Sequence, residues 1–252
     1  MNNDKFPSLP LKLRLVLPIQ SLVMVPFPNT AAIIQARMGS TRLPGKVLMP
    51  MGNRTMLGYL TERLSYARTV STIVVATTTN RRDDVIAEEA GKLGVECFRG
   101  SETDVLERYI QAARVNNAEI VVRVTGDNPF TDPASIDRVV DQLIDGFDYA
   151  IETGLPVGTT GEALTFKALE FINRVALASR WREHVTLYAK ENRNMLRCAL
   201  LRPSPSCDRP DLSFTVDLPE EYERVRDLCA KLPGPNFLLK DLIAMADTPI
   251  VV

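Results

Sequence analysis

The sequence predicts an α/β fold, a mostly parallel (mixed) sheet with helices on both faces. Short apolar, β-branched runs alternate with amphipathic stretches of about ten to fifteen residues, the rhythm of successive strand–helix–strand units. The loops that carry the candidate ligand-binding residues directly follow those runs, at residues 35–46, 77–82 and 125–132. Sheets of this class bind ligands there, beyond the carboxyl ends of their strands.

Taken in order, residues 31–34 form a buried strand that breaks into a loop of small and basic residues. Thr55 caps a helix running to Arg68, with Met56, Leu57, Leu60 and Leu64 on one face. Residues 73–77 are a second strand. Asp83 and Asp84 open a helix that ends near Gly94, with Lys92 in its last turn. Residues 95–98 form a third strand, Ser101 or Thr103 caps a helix to about Asn116, and residues 119–124 form a fourth strand stopped by TGDNP. A helix over 133–145 and a strand over 147–151 follow. The rhythm then changes: LPVGTTGEALT is loop-like and residues 166–192 are mainly helical. Residues 212–216 return to a strand ended by an acid, before a closing helix.

The stretch IIQARMGSTRLPGKVL carries Arg37, Arg42 and Lys46 among Gly39, Ser40 and Gly45. Between residues 5 and 61 there are seven cations and no acid, in a chain of formal net charge −1. Backbone N–H groups beside such an excess suit a polyanion, which points to a nucleoside triphosphate. A Walker A loop is excluded, because five residues separate Gly39 from Gly45, Val47 follows Lys46, and Pro50 and Gly52 oppose an immediate helix. The four cysteines have neither zinc-like spacing nor disulfide density and suit a reducing, cytoplasmic setting. No apolar run is long enough to span a membrane. No membrane or nucleic-acid partner is expected.

The same stretch resembles the first motif of the cytidylyltransferases that make CMP-activated sugar acids, above all the branch named for spore coat polysaccharide biosynthesis protein F. The resemblance covers about residues 30–245 and is strongest at this motif. It implies a nucleotide-diphospho-sugar transferase (Rossmann-like) fold. It also implies attack of a sugar-acid hydroxyl on the α-phosphorus of CTP with loss of pyrophosphate, Mg2+ as cofactor, and a homodimer. Residues 30–252 are expected to form one nucleotidyltransferase domain, with an inserted dimerisation or substrate region at about 152–210. Residues 1–29 are expected to be an appended leader, disordered or mis-assigned. A secretory signal would also carry Lys5, Lys12 and Arg14 before an apolar run, but Pro18, Pro26 and Pro28 interrupt it and no small-residue cleavage site ends it.

Residue by residue, the resemblance makes Arg37, Lys46 and Arg42 the catalytic cations. Forked guanidinium groups suit phosphate oxygens, and the ammonium acts as a point charge. Ala36, Gly39, Ser40, Thr77, Asp104 and Arg108 fall where relatives contact the nucleotide. Asp127 and Asp217, each directly after a predicted strand, fall on the family's metal positions, and two carboxylates at one rim suit magnesium. Read from the residues alone, the alternative role is a helix cap for Asp217 and a turn residue for Asp127. Glu162, in GTTGE, and His184, in REHVTLY, fall in the region near the sugar acid. A lone histidine in an amphipathic helix is otherwise a packing residue. A glycosyltransferase on a similar sheet is the competing enzyme, though no D-x-D pair occurs in the sequence. Gln35-Ala36 stands where purine and thymidine sugar nucleotidyltransferases carry a Gly-Gly or Ala-Gly pair. A non-catalytic nucleotide-binding relative is the third possibility.

Overall fold

The computed structural model describes residues 13–16 and 23–247, with side chains from residue 27 onward. Strands β1 (Leu13–Val16) and β2 (Val23–Pro26) pair antiparallel. The rest of the expected leader up to residue 22 lies outside the described residues. The apolar run then forms β3 (Thr30–Gln35), buried at its first five positions because both of its faces are covered.

A loop, a 3-10 turn at Lys46–Leu48 and a small ribbon of β4 (Pro50–Met51) and β5 (Arg54–Thr55) lead to α1 (Met56–Leu64). Next come β6 (Thr72–Thr78), α2 (Asp84–Leu93), β7 (Glu96–Gly100), α3 (Val105–Val115), β8 (Ile120–Thr125) and α4 (Pro133–Ile144). The middle supplies β9 (Tyr149–Glu152), β10 (Glu162–Thr165), α5 (Phe166–Val175), α6 (Ser179–Glu183), α7 (Leu187–Glu191) and β11 (Cys198–Leu201). Helices α8 (Pro219–Lys231) and α9 (Leu239–Asp247) close the described chain.

Seven strands make one sheet in the order β11-β9-β10-β8-β3-β6-β7. All neighbours are parallel except β10, which runs antiparallel to both β8 and β9. The expected mostly parallel, mixed sheet is present. Ile33, Val74 and Val121 pack beneath α3 and α5 with Leu106, Tyr109 and Leu169. Their sequence neighbours Ile34, Val75 and Val122 pack beneath α1, α2 and α4 with Leu57, Leu60, Ile86 and Ile136. Adjacent strand residues thus serve opposite layers, as a period of two requires. A third core joins α8 and α9 to Met51, Met56, Tyr59, Phe130 and Phe214 beside the loops at one end of the sheet. Among the described residues no helix is long and apolar enough to cross a membrane.

Several expected elements differ. Helix α1 stops at Leu64, short of Arg68. Asp104, rather than Ser101 or Thr103, caps α3, accepting from the Glu107 N–H at 3.0 Å. Part of the expected loop after residue 151 is β10, and β11 and α9 were not foreseen. Residues 212–216 form no ladder strand. Their contact with a neighbouring segment is a single bridge between Ser213 and Val157, and they lie extended across two loops. Phe214 N–H donates to the Val157 carbonyl at 2.7 Å and Val216 N–H to the Asp127 carbonyl at 2.9 Å, while both side chains enter the third core. Burial there outweighs continuation of the sheet.

Candidate active site

The loop after β3 is shaped by its turn residues and by a buried acid. Gly45 sits at φ 73°, in the left-handed region that glycine tolerates, and its N–H donates to the Met38 carbonyl at 3.1 Å. Asp83, fully buried, accepts from the Met38 N–H at 2.7 Å and from the Thr78 hydroxyl. The Arg82 guanidinium packs on Gly39, where an added Cβ would come within 2.6 Å of it.

This folding directs Lys46 inward. Its ammonium donates to Asp127 Oδ2 at 2.9 Å, to Asp217 Oδ1 at 2.7 Å and to the Val216 carbonyl at 2.7 Å, so all three donors are engaged. Arg42 meets the other oxygen of Asp217 at 2.9 Å. Burial works against ionised Asp217, but hydrogen bonds and charge from Lys46, and then from Arg42, outweigh it and hold that carboxyl below the ordinary aspartate range.

Neither aspartate serves as the cap or turn residue its sequence allows. Glu221 accepts from the Asp217 and Leu218 N–H groups at 2.6 and 3.0 Å and closes the start of α8. Asn128 donates to the Thr125 hydroxyl at 2.8 Å and organises the turn after β8. Both aspartate side chains are left for the cations.

These groups line a cavity of about 710 Å³, in the range of small-ligand sites. Of the residues singled out in the sequence, Ala36, Arg37, Gly39, Ser40, Arg42, Lys46, Arg108, Asp127, His184 and Asp217 stand on its wall. Arg37 is exposed and makes no hydrogen bond or ion pair among the described residues. Arg108 is buried and donates to the Ser101 carbonyl; desolvation, with smaller help from Arg37, lowers its pKa. His184 terminates α6 facing the cavity, not the core.

Three of the singled-out residues stand off the wall. Thr77 is buried near the end of β6, its hydroxyl without a hydrogen-bond partner among the described residues. Asp104 is occupied by its cap and by Arg182 at 2.6 Å. Glu162 is buried between Arg123, Tyr149 and Lys190.

Arg123, Asn128, Glu183 and Thr215, which the sequence did not single out, also line the cavity, as does Gln35, noted there only as a difference from other nucleotidyltransferases. A signal existed for Arg123, a cation inside the apolar run IVVRVT. Gln35 Oε1, Arg108 Nε, Arg123 Nε and Asn128 Oδ1 are buried without a hydrogen-bond partner among the described residues. Buried polar atoms are rarely left so, and their concentration on one wall points to a polar ligand.

Among the described residues, no cluster of three or more His, Cys, Asp or Glu side chains could hold a metal ion alone. Asp127 and Asp217 nevertheless converge on one ammonium at the cavity edge. That donor set fits magnesium, which takes one or two carboxylates and completes its shell with waters and phosphate oxygens.

The cytidylyltransferase family profile matches residues 31–241. Spore coat polysaccharide biosynthesis protein SpsF of Bacillus subtilis is 37% identical over 220 residues, covering 84% of this chain and 92% of its own. A 3-deoxy-manno-octulosonate cytidylyltransferase of Solibacter usitatus is 37% identical over 114 residues, 44% of each chain. Among solved structures, a cytidylyltransferase from Leptospira borgpetersenii superposes with a TM-score of 0.82 at 33% identity, covering 86% of this chain and 93% of its own.

Proposed function

We propose that this chain, which belongs to the cytidylyltransferase family, transfers CMP from CTP to a sugar acid and releases pyrophosphate, in the synthesis of a surface polysaccharide. The observation that carries the proposal is the meeting of Lys46 with Asp127 and Asp217 on the wall of a nucleotide-sized cavity. The acceptor to try first is a 3-deoxy-manno-octulosonate-type acid, after the partial likeness to an enzyme of that name.

In this mechanism the acceptor hydroxyl attacks the α-phosphorus and gives up its proton to solvent, and the bond to the bridging α–β oxygen breaks, so negative charge grows on the departing pyrophosphate. Arg37, without a hydrogen-bond or ion-pair partner among the described residues, and Arg42, at the cavity mouth, bind the phosphates. Lys46 is placed to pass from the aspartates to the phosphates by side-chain rotation. Positioned cations of this kind supply most of the catalysis in phosphoryl chemistry. Asp127 and Asp217 would hold Mg2+, which when bound neutralises charge on the phosphate oxygens. A cytoplasmic homodimer formed through residues 152–210 belongs to the same proposal.

The test is pyrophosphate release from each of the four nucleoside triphosphates, with a panel of sugar acids and magnesium. Release with CTP and a sugar acid is expected. Release only with a hexose 1-phosphate, or hydrolysis of a nucleotide sugar, would overturn the proposal.

A further inference from the structure

The phosphate-facing cations leave another cation of the cavity unexplained. Arg123 sits on β8, opposite Ile33 of β3, on the sheet face covered by α3 and α5. Of its five donors one makes a hydrogen bond among the described residues, a long one of 3.4 Å from Nη1 to Glu162 Oε2. Its Nε is buried without a partner. An arginine with so little to bind inside a core is costly unless an anion completes it.

Glu162 does not complete it, because that carboxylate is shared. Its other oxygen takes the Tyr149 hydroxyl at 2.6 Å and the Lys190 ammonium at 2.9 Å. Two cations therefore face one buried anion, and the cluster holds one net positive charge against the cavity. Burial works against charged Arg123, but Glu162, with smaller help from Tyr109 and Asp127, outweighs it, so the guanidinium stays protonated. The same cavity is lined by Glu183, the last residue of α6, and by His184, which caps it; both offer partners for hydroxyl groups. Lys46 and Arg42, by contrast, are engaged with Asp127 and Asp217.

We infer that Arg123 takes the carboxylate of the acid substrate, and that Glu162 is a positioning residue that holds the guanidinium behind it. The inference rests on cytidylyl transfer to a sugar acid and adds to it the residue that selects the acid. Glu162 thus acts through Arg123 from outside the cavity wall. The two oxygens of a carboxylate match the guanidinium fork, which an ester or amide does not.

The single tryptophan, Trp181, lies in α6 next to this wall and gives a fluorescence readout of binding. The probes are 3-deoxy-manno-octulosonate and its methyl ester, titrated in the presence of CTP and magnesium, with CTP binding measured separately by calorimetry. The wild type is expected to prefer the acid about tenfold or more, as loss of a charge-assisted pair implies. Arg123→Met should bring acid and ester within about twofold of each other while CTP binding holds. Arg123→Lys should recover part of the preference, since charge returns without the fork. Glu162→Gln should raise KM for the acid with little change in kcat.

Arg123→Met leaves Glu162 with one cation fewer, so a paired Arg123→Met, Glu162→Gln variant guards against misfolding and should show the same loss. An acid preference that survives in either variant, or a wild type indifferent to the ester, would overturn the inference. CTP binding that persists in those cases leaves cytidylyl transfer standing. A wild type that fails to bind CTP would defeat cytidylyl transfer itself.

Discussion

Lys46 is where the two ends of the chain meet, and its three hydrogen bonds to Asp127, Val216 and Asp217 make it the most demanding single position in the site. Lys46→Met should lower kcat about 10²–10³-fold, roughly 3–4 kcal/mol of barrier, as for loss of one preorganised donor. The same substitution has a pH signature. Asp217 titrates below its ordinary range although burial opposes this, because Lys46 and then Arg42 favour its ionised form. A depressed folded-state pKa adds stability above the unfolded value, and that stability is lost as pH falls through the folded value. Without Lys46 the folded value rises, so acid unfolding of Lys46→Met should begin at higher pH than in the wild type; urea titrations from pH 7 to pH 3 measure it. These residues were legible because charge and small residues crowd one loop and because Asp127 ends a readable strand. Arg123 was not singled out, since an arginine within an apolar run gives no sign of which face it occupies.

At the scale of elements, the least legible piece was β10. Its sequence EALT has no β-branched residue except its last, and Glu162, expected near the sugar acid, is instead buried and triply bound within the protein. The glycine before it is what lets this strand in. A Cβ on Gly161 would stand 2.7 Å from the Ser135 carbonyl carbon and 2.8 Å from the Ile136 nitrogen, both backbone atoms at the start of α4. Gly161→Ala should therefore destabilise the fold by about 1–3 kcal/mol, the usual cost of overpacking, visible as a lower urea midpoint.

A second link joins α1 to the C-terminal helices. Arg63 is fully buried, donates to the carbonyls of Thr131, Pro235 and Phe237, and lies 3.5 Å from the Phe237 ring centroid. Burial lowers its pKa to about 10, so it stays charged at neutral pH. Arg63→Met would strand those carbonyls and leave Asp132 with one cation fewer. About 3–5 kcal/mol of stability should be lost, as when a buried ion pair loses one partner. Denaturant unfolding at pH 7 measures the loss. Nothing in YLTERLSY distinguishes this arginine from an exposed helical one.

Across the whole molecule, the alternation of strands and helices made the parallel half of the sheet, β3, β6, β7 and β8, legible from sequence. In the other half β9 (Tyr149–Glu152) was legible too, but the antiparallel β10 and the edge strand β11, each four residues long, were not. The site lies between that sheet and the segment 212–217, which α8, α9 and the third core hold against it. A ligand bridging Lys46, Asp127 and Asp217 therefore binds at the point where these distant parts of the chain meet. Bound at about a hundred times its dissociation constant, CTP with magnesium should stabilise the protein by roughly 2.7 kcal/mol. For a domain of this size that is a rise in Tm of about 5–11 °C. Magnesium alone should do far less. Both carboxylates already face Lys46 and Arg42, and without phosphates to receive those cations a divalent ion would compete with charges of its own sign. Thermal unfolding with magnesium, CTP, both and neither separates these cases, with the largest shift expected only for the pair. A full shift with magnesium alone would mean that the aspartates are already open to the ion and that Lys46 does not guard them.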